Sequence, residues 1–317
     1  MKISIITPTF NSAKTIQSNI DSIKAQSFKD YQLIIIDNNS TDETIEIIKK
    51  NNISNIKFLI EDDLGIYDAI NKGIKLSDHE IISVLHSDDF FNDENVLENI
   101  AGSFNEDKDC EIVYGDLVYV KKNNIDIPLR YWKPGLFKKN LFFKGWHPPH
   151  PSFFAKKKLF KDYGYYDLKN GNSADVELMF RFLNTHNLKS EYLNKTLVKM
   201  RYGGASNKNF FSIIKQNIQI MRESEMEYTV KQLKFLSAAI VKYGEGAIMS
   251  KESITETAEE IGMKFPFWLT DTRRMGSFTK VDKDTYRLPA INGGEGASEA
   301  KEVFFSCNRM FFLCNTC

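Results

Sequence analysis

The chain has 317 residues, 42% of them apolar and 26% charged, the balance of a globular protein long enough to bury a large core. Its 42 basic and 42 acidic side chains leave a formal net charge of zero, which argues against a general grip on nucleic acid or anionic lipid and leaves only local patches. No apolar run reaches the roughly 18 residues of a membrane span, and the opening MKISIITPTF, interrupted by Pro8 and followed by Asn11, is too short for a secretory leader.

The predicted elements alternate in chain order. KISIITPTF reads as a buried strand, and SAKTIQSNIDSIKAQ as a helix with Ile16, Ile20 and Ile23 on one face behind Asn11 or Ser12 as N-cap. YQLIIIDNNS is a second strand, TDETIEIIKKN a helix, IKFLIED a third strand, IYDAINKGIKLS a helix closed near Gly73 or Ser77, and EIISVLHSDD a fourth strand. Continuous apolar strands separated by helices predict βαβ units, hence an α/β fold with a nucleotide-binding, mostly parallel, Rossmann-like sheet flanked by helices. From about residue 110 the order changes. CEIVYGDLVYVKK is a strand or hairpin, an aromatic and proline-rich stretch follows, and ADVELMFRFLNTH is an amphipathic helix with Val176, Met179, Phe180 and Leu183 inward. FFSIIKQNIQIMRESEM is a further helix, and the composition shifts after about residue 230. Residues 1–230 are therefore expected to form the main domain and 231–317 a small C-terminal appendage. Cys110 is expected to be a reduced thiol of a cytoplasmic protein. Cys307, Cys314 and Cys317 supply three ligands, with no His nearby, where structural zinc takes four.

Ligands of such sheets bind beyond the carboxyl ends of the strands. All four predicted exits are polar: Thr7, Pro8 and Thr9; Asp37, Asn38 and Asn39; Glu61, Asp62 and Asp63; Asp88 and Asp89. Adjacent aspartates are hard oxygen ligands suited to Mg²⁺ or Mn²⁺, ions that leave positions for water and substrate phosphates. The alternative for Asp88 is a cap on a helix in FFNDENVLENI, with Asp89 solvated. No G-x-G-x-x-G and no P-loop motif is present. Asp37 is placed to accept a hydrogen bond from a base N–H or, alternatively, to serve the turn NNSTDET. No nucleophilic triad is visible, and His147 and His150, three apart among prolines, suit a pocket wall better than a zinc pair.

In order and spacing, SIITPTFN, IIIDNNSTDET, EDDLGIYDAINKGI and LHSDDF, continued by HPPHPSFF, SADVELMFRF and YGGASN, resemble the inverting family 2 glycosyltransferases, which have the glycosyltransferase A fold. The resemblance covers residues 1 to about 220 and is nearest to bacterial enzymes of capsule, O-antigen and exopolysaccharide synthesis. It implies that Thr7, Pro8 and Asp37 line a nucleotide pocket, with Asp37 at the base. It implies that Asp63, Asp68, Asn71 and Lys72 lie near the base, ribose and diphosphate. Asp88 and Asp89 take the place of the metal-binding acids, Asp89 coordinating Mn²⁺ or Mg²⁺. Asp175 matches the catalytic base, with Glu177 as its competitor. His86 and Ser87 depart from the small residue or Asn usual before the acids, and Pro151 replaces a Gln after His150, which leaves the role of His150 open. The implied partners are a nucleotide-diphosphate sugar, UDP-sugars being commonest, and a glycan or lipid-linked saccharide acceptor, with no nucleic acid. A lipid-linked acceptor would bring the lysine-rich FKKNLFFKGW and AKKKLFKDYG to the inner membrane face. Two other readings are weighed: a nucleotidyltransferase, which TPTFNSAKT lacks the glycines to be, and a non-catalytic carbohydrate-binding scaffold.

Overall fold

The computed structural model describes residues 1–53, 55–122, 124–139, 141–203, 217 and 219–223, and nearer the C-terminus 242, 248–250, 253, 256–257, 279–280 and 285–287. The chain divides into two compact units, Met1–Ser224 and Glu225–Cys317.

In the first unit β1 (Ile3–Thr9), β2 (Tyr31–Asp37), β3 (Ile56–Ile60) and β4 (Ile81–Val84) pair in parallel in the order β3-β2-β1-β4. Their connections are helices α1 (Ile16–Lys24), α2 (Thr44–Lys50) and α3 (Ile66–Leu76). These strands lack polar alternation because both faces are covered. Ile3, Ile5, Leu33 and Ile35 face Ile16, Ile20 and Ile23 of α1. Ile6, Ile34 and Ile36 face Ala69, Ile70 and Ile74 of α3. Gly73 does not close α3 but lies within it, and Ser77 follows the last helical residue. A Cβ at Gly73 would stand 2.5 Å from Ile6 Cγ2, so the absent side chain lets helix and strand touch. Thr15 stands at the N-cap of α1 without a side-chain cap bond. Ser12 serves through its carbonyl instead, accepting from the N–H groups of Thr15 and Ile16 at 2.9 Å each.

The rest of the sheet is built from β5 (Phe90–Phe91), β6 (Ile112–Lys121), β7 (Asn124–Trp132), β8 (Phe153–Lys156) and β9 (Ser190–Arg201), with helices α4 (Val96–Glu106), α5 (Lys157–Tyr163) and α6 (Ala174–Phe180). The path continues β4-β8-β6-β9-β5, and β7 pairs with β6. β8 runs antiparallel to both β4 and β6, and β5 antiparallel to β9, whereas β6 and β9 are parallel. The sheet is thus mixed rather than mostly parallel: only its first four strands follow the βαβ pattern. The FF of FFNDENVLENI is strand, paired with Val198 and Lys199, and its helix begins at Val96 behind Asn95. No helix starts next to Asp88, so its expected alternative as a cap does not arise. The α6 helix passes into a π-helical turn at Arg181–Thr185, and its buried residues surround it rather than form one stripe.

In the second unit β10 (Ile248–Ser250), β11 (Thr279–Lys280) and β12 (Thr285–Arg287) form an antiparallel sheet in the order β10-β12-β11. The three C-terminal cysteines, most of FFSIIKQNIQIMRESEM and the end of YGGASN lie outside the described residues. Cys110 is buried and free. No described helix is long and apolar enough to cross a membrane.

Candidate active site

The strand order reverses between β1 and β4, because β2 and β3 lie to one side of β1 and β4 to the other. Such a switch point leaves a crevice beyond the strand ends. At the β4 exit the chain turns tightly, the Asp89 N–H donating to the His86 carbonyl at 2.9 Å. The turn is held through its backbone from distant elements. The buried Asn19 amide of α1 donates to the carbonyls of His86 and Asp89 at 2.9 and 3.0 Å. Arg201, at the end of β9, donates to the Asp88 carbonyl and to Ser18 Oγ, and its guanidinium lies 4.8 Å from the Phe90 ring centroid.

Those braces leave the side chains unspent. Asp89 is 0% exposed, and neither of its carboxyl oxygens has a hydrogen-bond partner. Burial, then the charge of Asp88, push its pKa well above the carboxylate range, and Arg201 offsets this only in part. An unpaired buried carboxylate is costly, and it is relieved by a proton or a cation. A hard divalent ion fits this donor. Among the described residues no three His, Cys, Asp or Glu side chains gather to hold a metal. An ion here would therefore complete its shell from water and substrate oxygens, as Mg²⁺ commonly does. The hydroxyls of Thr7 and Thr9 and Nδ1 of His86 are also buried without partners, and Pro8 is buried between the threonines.

The other predicted donor-site residues differ from one another. Asp37 is 0% exposed and bonded on both oxygens: one accepts from the Ser40 N–H at 2.7 Å, the other from Ser40 Oγ at 2.6 Å. Asp63 accepts from the Gly65 N–H at 2.8 Å and Asp68 from the Leu64 N–H at 3.1 Å, shaping the loop into α3. Lys72 bonds Glu61 at 3.0 Å, Asp68 at 3.4 Å and the Asp62 carbonyl. Asn71 is not brought to the exits. Its amide clamps the backbone of Tyr166, donating to the carbonyl at 2.9 Å and accepting from the N–H at 3.1 Å.

That clamp serves Asp175. Tyr67, one turn before Asn71 on the same face of α3, stacks on Tyr166 at 5.4 Å between centroids. Its hydroxyl donates to the Asn172 carbonyl at 3.4 Å and lies close enough to Asp175 to lower the pKa of that carboxyl. Tyr166 also shares a 2.8 Å hydrogen bond with His150 Nε2. Asp175 opens α6 and accepts from the Val176 N–H at 2.8 Å. Burial raises its pKa, while His147, Val176, Tyr67 and His86 pull it back. Burial, then the neighbouring imidazole, push His150 down to about 3 and His86 down to about 4, so both rings are neutral near pH 7. His86 feels the charges of both Asp88 and Asp175, so an acid of the β4 exit and the α6 carboxyl act on the same imidazole.

Glu177 is excluded as the free carboxylate. It holds Arg181 with two bonds of 2.9 Å, and Arg181 donates onward to the carbonyls of Tyr163, Gly164 and Tyr165. Sequence reasoning missed Tyr67, Tyr166, Asn19 and Arg201. The four-residue spacing of Tyr67 and Asn71 was a readable signal. Nothing near Arg201 announces a partner 113 residues away.

Known proteins resemble this chain in sequence and in fold. Glycosyl transferase family 2 matches residues 4–164, from β1 through the double acid to just beyond α5. A PGL/p-HBAD biosynthesis glycosyltransferase of Mycobacterium bovis is 30% identical over 208 residues, 64% of this chain and 78% of that protein. The poly(ribitol-phosphate) beta-N-acetylglucosaminyltransferase TarP of Staphylococcus aureus is 34% identical over 119 residues, 36% of each chain. S. aureus TarS 1–349 in complex with UDP-GlcNAc superposes with a TM-score of 0.56 at 18% identity, covering 87% of this chain and 80% of that one. Against a longer TarS chain the TM-score is 0.51, and the match spans 37% of that chain. These likenesses show a glycosyltransferase A fold. With half its length matched, including both aspartates of the β4 exit, the chain belongs to glycosyl transferase family 2.

Proposed function

We propose that the protein transfers a sugar, with inversion, from a nucleotide-diphosphate sugar to a hydroxyl of a glycan or lipid-linked saccharide in cell-surface polysaccharide synthesis. UDP-sugars are the first candidates, because TarS of the same fold has been solved with UDP-GlcNAc. The observation that carries the reading is a set of unlike acids: Asp88 and Asp175 both act on the His86 ring, and Asp89, next to Asp88, is buried without a close hydrogen bond on either carboxyl oxygen.

The chemistry follows from those environments. Asp175 accepts the proton of the acceptor hydroxyl as its oxygen bonds to the anomeric carbon. The bond from that carbon to the diphosphate breaks on the opposite face, and the diphosphate departs with the electron pair. One displacement inverts the centre. Tyr67 and the Val176 N–H orient the carboxylate, and the neutral His86 and His150 add no competing charge. Asp89, with Asp88 beside it, would hold Mn²⁺ or Mg²⁺, which supplies Lewis-acid stabilisation to a departing diphosphate. Asp37, fixed by Ser40, retains lone pairs for a base N–H. Asp63, Asp68 and Lys72 form the rim nearest the ribose and diphosphate, and Thr7 and Pro8 the floor. Asn71 acts as a brace.

The test is calorimetric titration of UDP, GDP and dTDP with and without Mn²⁺, paired with transfer by Asp175→Asn. Metal-dependent binding of one nucleotide is expected, retained in Asp175→Asn while transfer falls by about 10²–10⁴. Folded protein that binds none of the three would replace this reading with the scaffold.

A further inference from the structure

We propose that the β6–β7 hairpin docks the protein on an anionic lipid surface. Seven of the nine residues of β7 are exposed and none is buried, yet its sequence is NIDIPLRYW. Ile127 is 42% exposed, Leu129 49% and Tyr131 57%, and Leu136 beyond the strand is 69% exposed. An apolar edge strand ordinarily invites a second strand. This edge refuses one: Pro128 has no N–H to offer, and the pairing with β6 breaks register between Tyr119 and Val120 and again between Val120 and Lys121. What remains is apolar surface without a regular hydrogen-bonding edge, which suits lipid better than another sheet.

The charge around it is lopsided. From Lys121 to Lys144 there are seven basic residues and one acid, Asp126, in a chain of zero net charge. Lys121, Lys122, Lys138, Lys139 and Lys144 are exposed and make no ion pair among the described residues. Aliphatic side chains and a tyrosine beside unpaired lysines match the two layers of an anionic bilayer surface, acyl boundary and phosphate. The hairpin also leads to the chemistry. At its base Trp132 meets His147 edge-on at 4.9 Å, and His147 acts on Asp175. A lipid-linked acceptor held in that surface would be presented beside the base. This consequence rests on the transfer reading above; the docking itself does not.

The experiment is co-sedimentation of the full chain with vesicles of phosphatidylcholine alone and of phosphatidylcholine with phosphatidylglycerol. Binding is expected only with the anionic lipid, weakening as salt rises. Lys121→Ala and Lys122→Ala should each weaken it roughly fivefold, and Leu129→Ser with Tyr131→Ser by about tenfold, circular dichroism being unchanged. No binding at low salt overturns the proposal, as does binding indifferent to all four substitutions. If only the lysine changes matter and soluble polyphosphate displaces the protein, the surface is a polyanion site and the membrane is excluded. A dimer in sedimentation that Leu129→Ser dissolves, without vesicle binding, assigns the face to a second copy. The transfer reading fails separately, if Asp175→Asn stays active, and that result leaves vesicle binding untouched.

Discussion

The exits of β2 and β4 each present an aspartate that is 0% exposed, and the two are opposites. Asp37 is satisfied by Ser40 on both oxygens, and Ser40 Oγ in turn accepts from the Asn11 N–H at 2.8 Å, so this acid laces the ends of β1 and β2 together. Asp89 has no close hydrogen bond on either oxygen and only a partial offset from Arg201; its turn is held by Asn19 and Arg201 acting on carbonyls. Burial alone does not mark a binding residue. Burial with unmet bonding capacity, inside a turn secured by other means, is what calls for a ligand or a proton.

The strongest test of that contrast is Asp89→Asn. Transfer and metal-dependent nucleotide binding should fall by at least about a hundredfold, while the metal-free protein should melt higher. The folded pKa of Asp89 lies above its ordinary value of 3.8, so between those two pH values the folded state holds a proton that the unfolded state has released. Stability therefore declines as pH rises through that window, and the amide removes the decline. Thermal melts against pH, with and without Mn²⁺, read both effects; a lower melting temperature for the metal-free variant would sink the contrast. Asp37→Ala should do the reverse, losing about 1–3 kcal/mol of stability because Ser40 is left unpaired. Denaturant unfolding measures this, and the Michaelis constant for the donor should rise as well.

Asp175 stands between the two, with one bonded oxygen and a raised pKa. A base must be unprotonated, so kcat/KM should fall as pH drops through a value above the usual carboxylate range. A profile flat down to pH 4 would place the proton elsewhere. The smallest effect is that of His147→Ala. Since His147 pulls the Asp175 pKa down, its removal should move that acid limb to slightly higher pH.

The first four strands were legible because isoleucine-rich runs covered on both faces have few other solutions, and their polar ends marked the exits. The two-residue β5 was not: FF beside a helical pattern reads as helix until β9, more than a hundred residues later, supplies its partner. β8 was hidden for the same reason, since FFAK carries no sign that it will be inserted between β4 and β6. Within the site, the paired acids Asp88 and Asp89 could be named from local sequence, and Asp175 through the family resemblance. Whether a polar side chain is already committed could not, because Ser40 bonding Asp37, Arg181 occupying Glu177 and Tyr166 occupying Asn71 are facts of three-dimensional pairing.

The brace from Arg201 also sets a time at which the site can exist. It joins the Asp88 carbonyl across 113 residues and Ser18 across 183, contacts of high sequence separation that form late in folding. A chain still being synthesised can carry all four strand exits and both aspartates without the residue that secures their turn. In chain order, the turn that carries Asp88 and Asp89 gains this brace only with the last residue of β9.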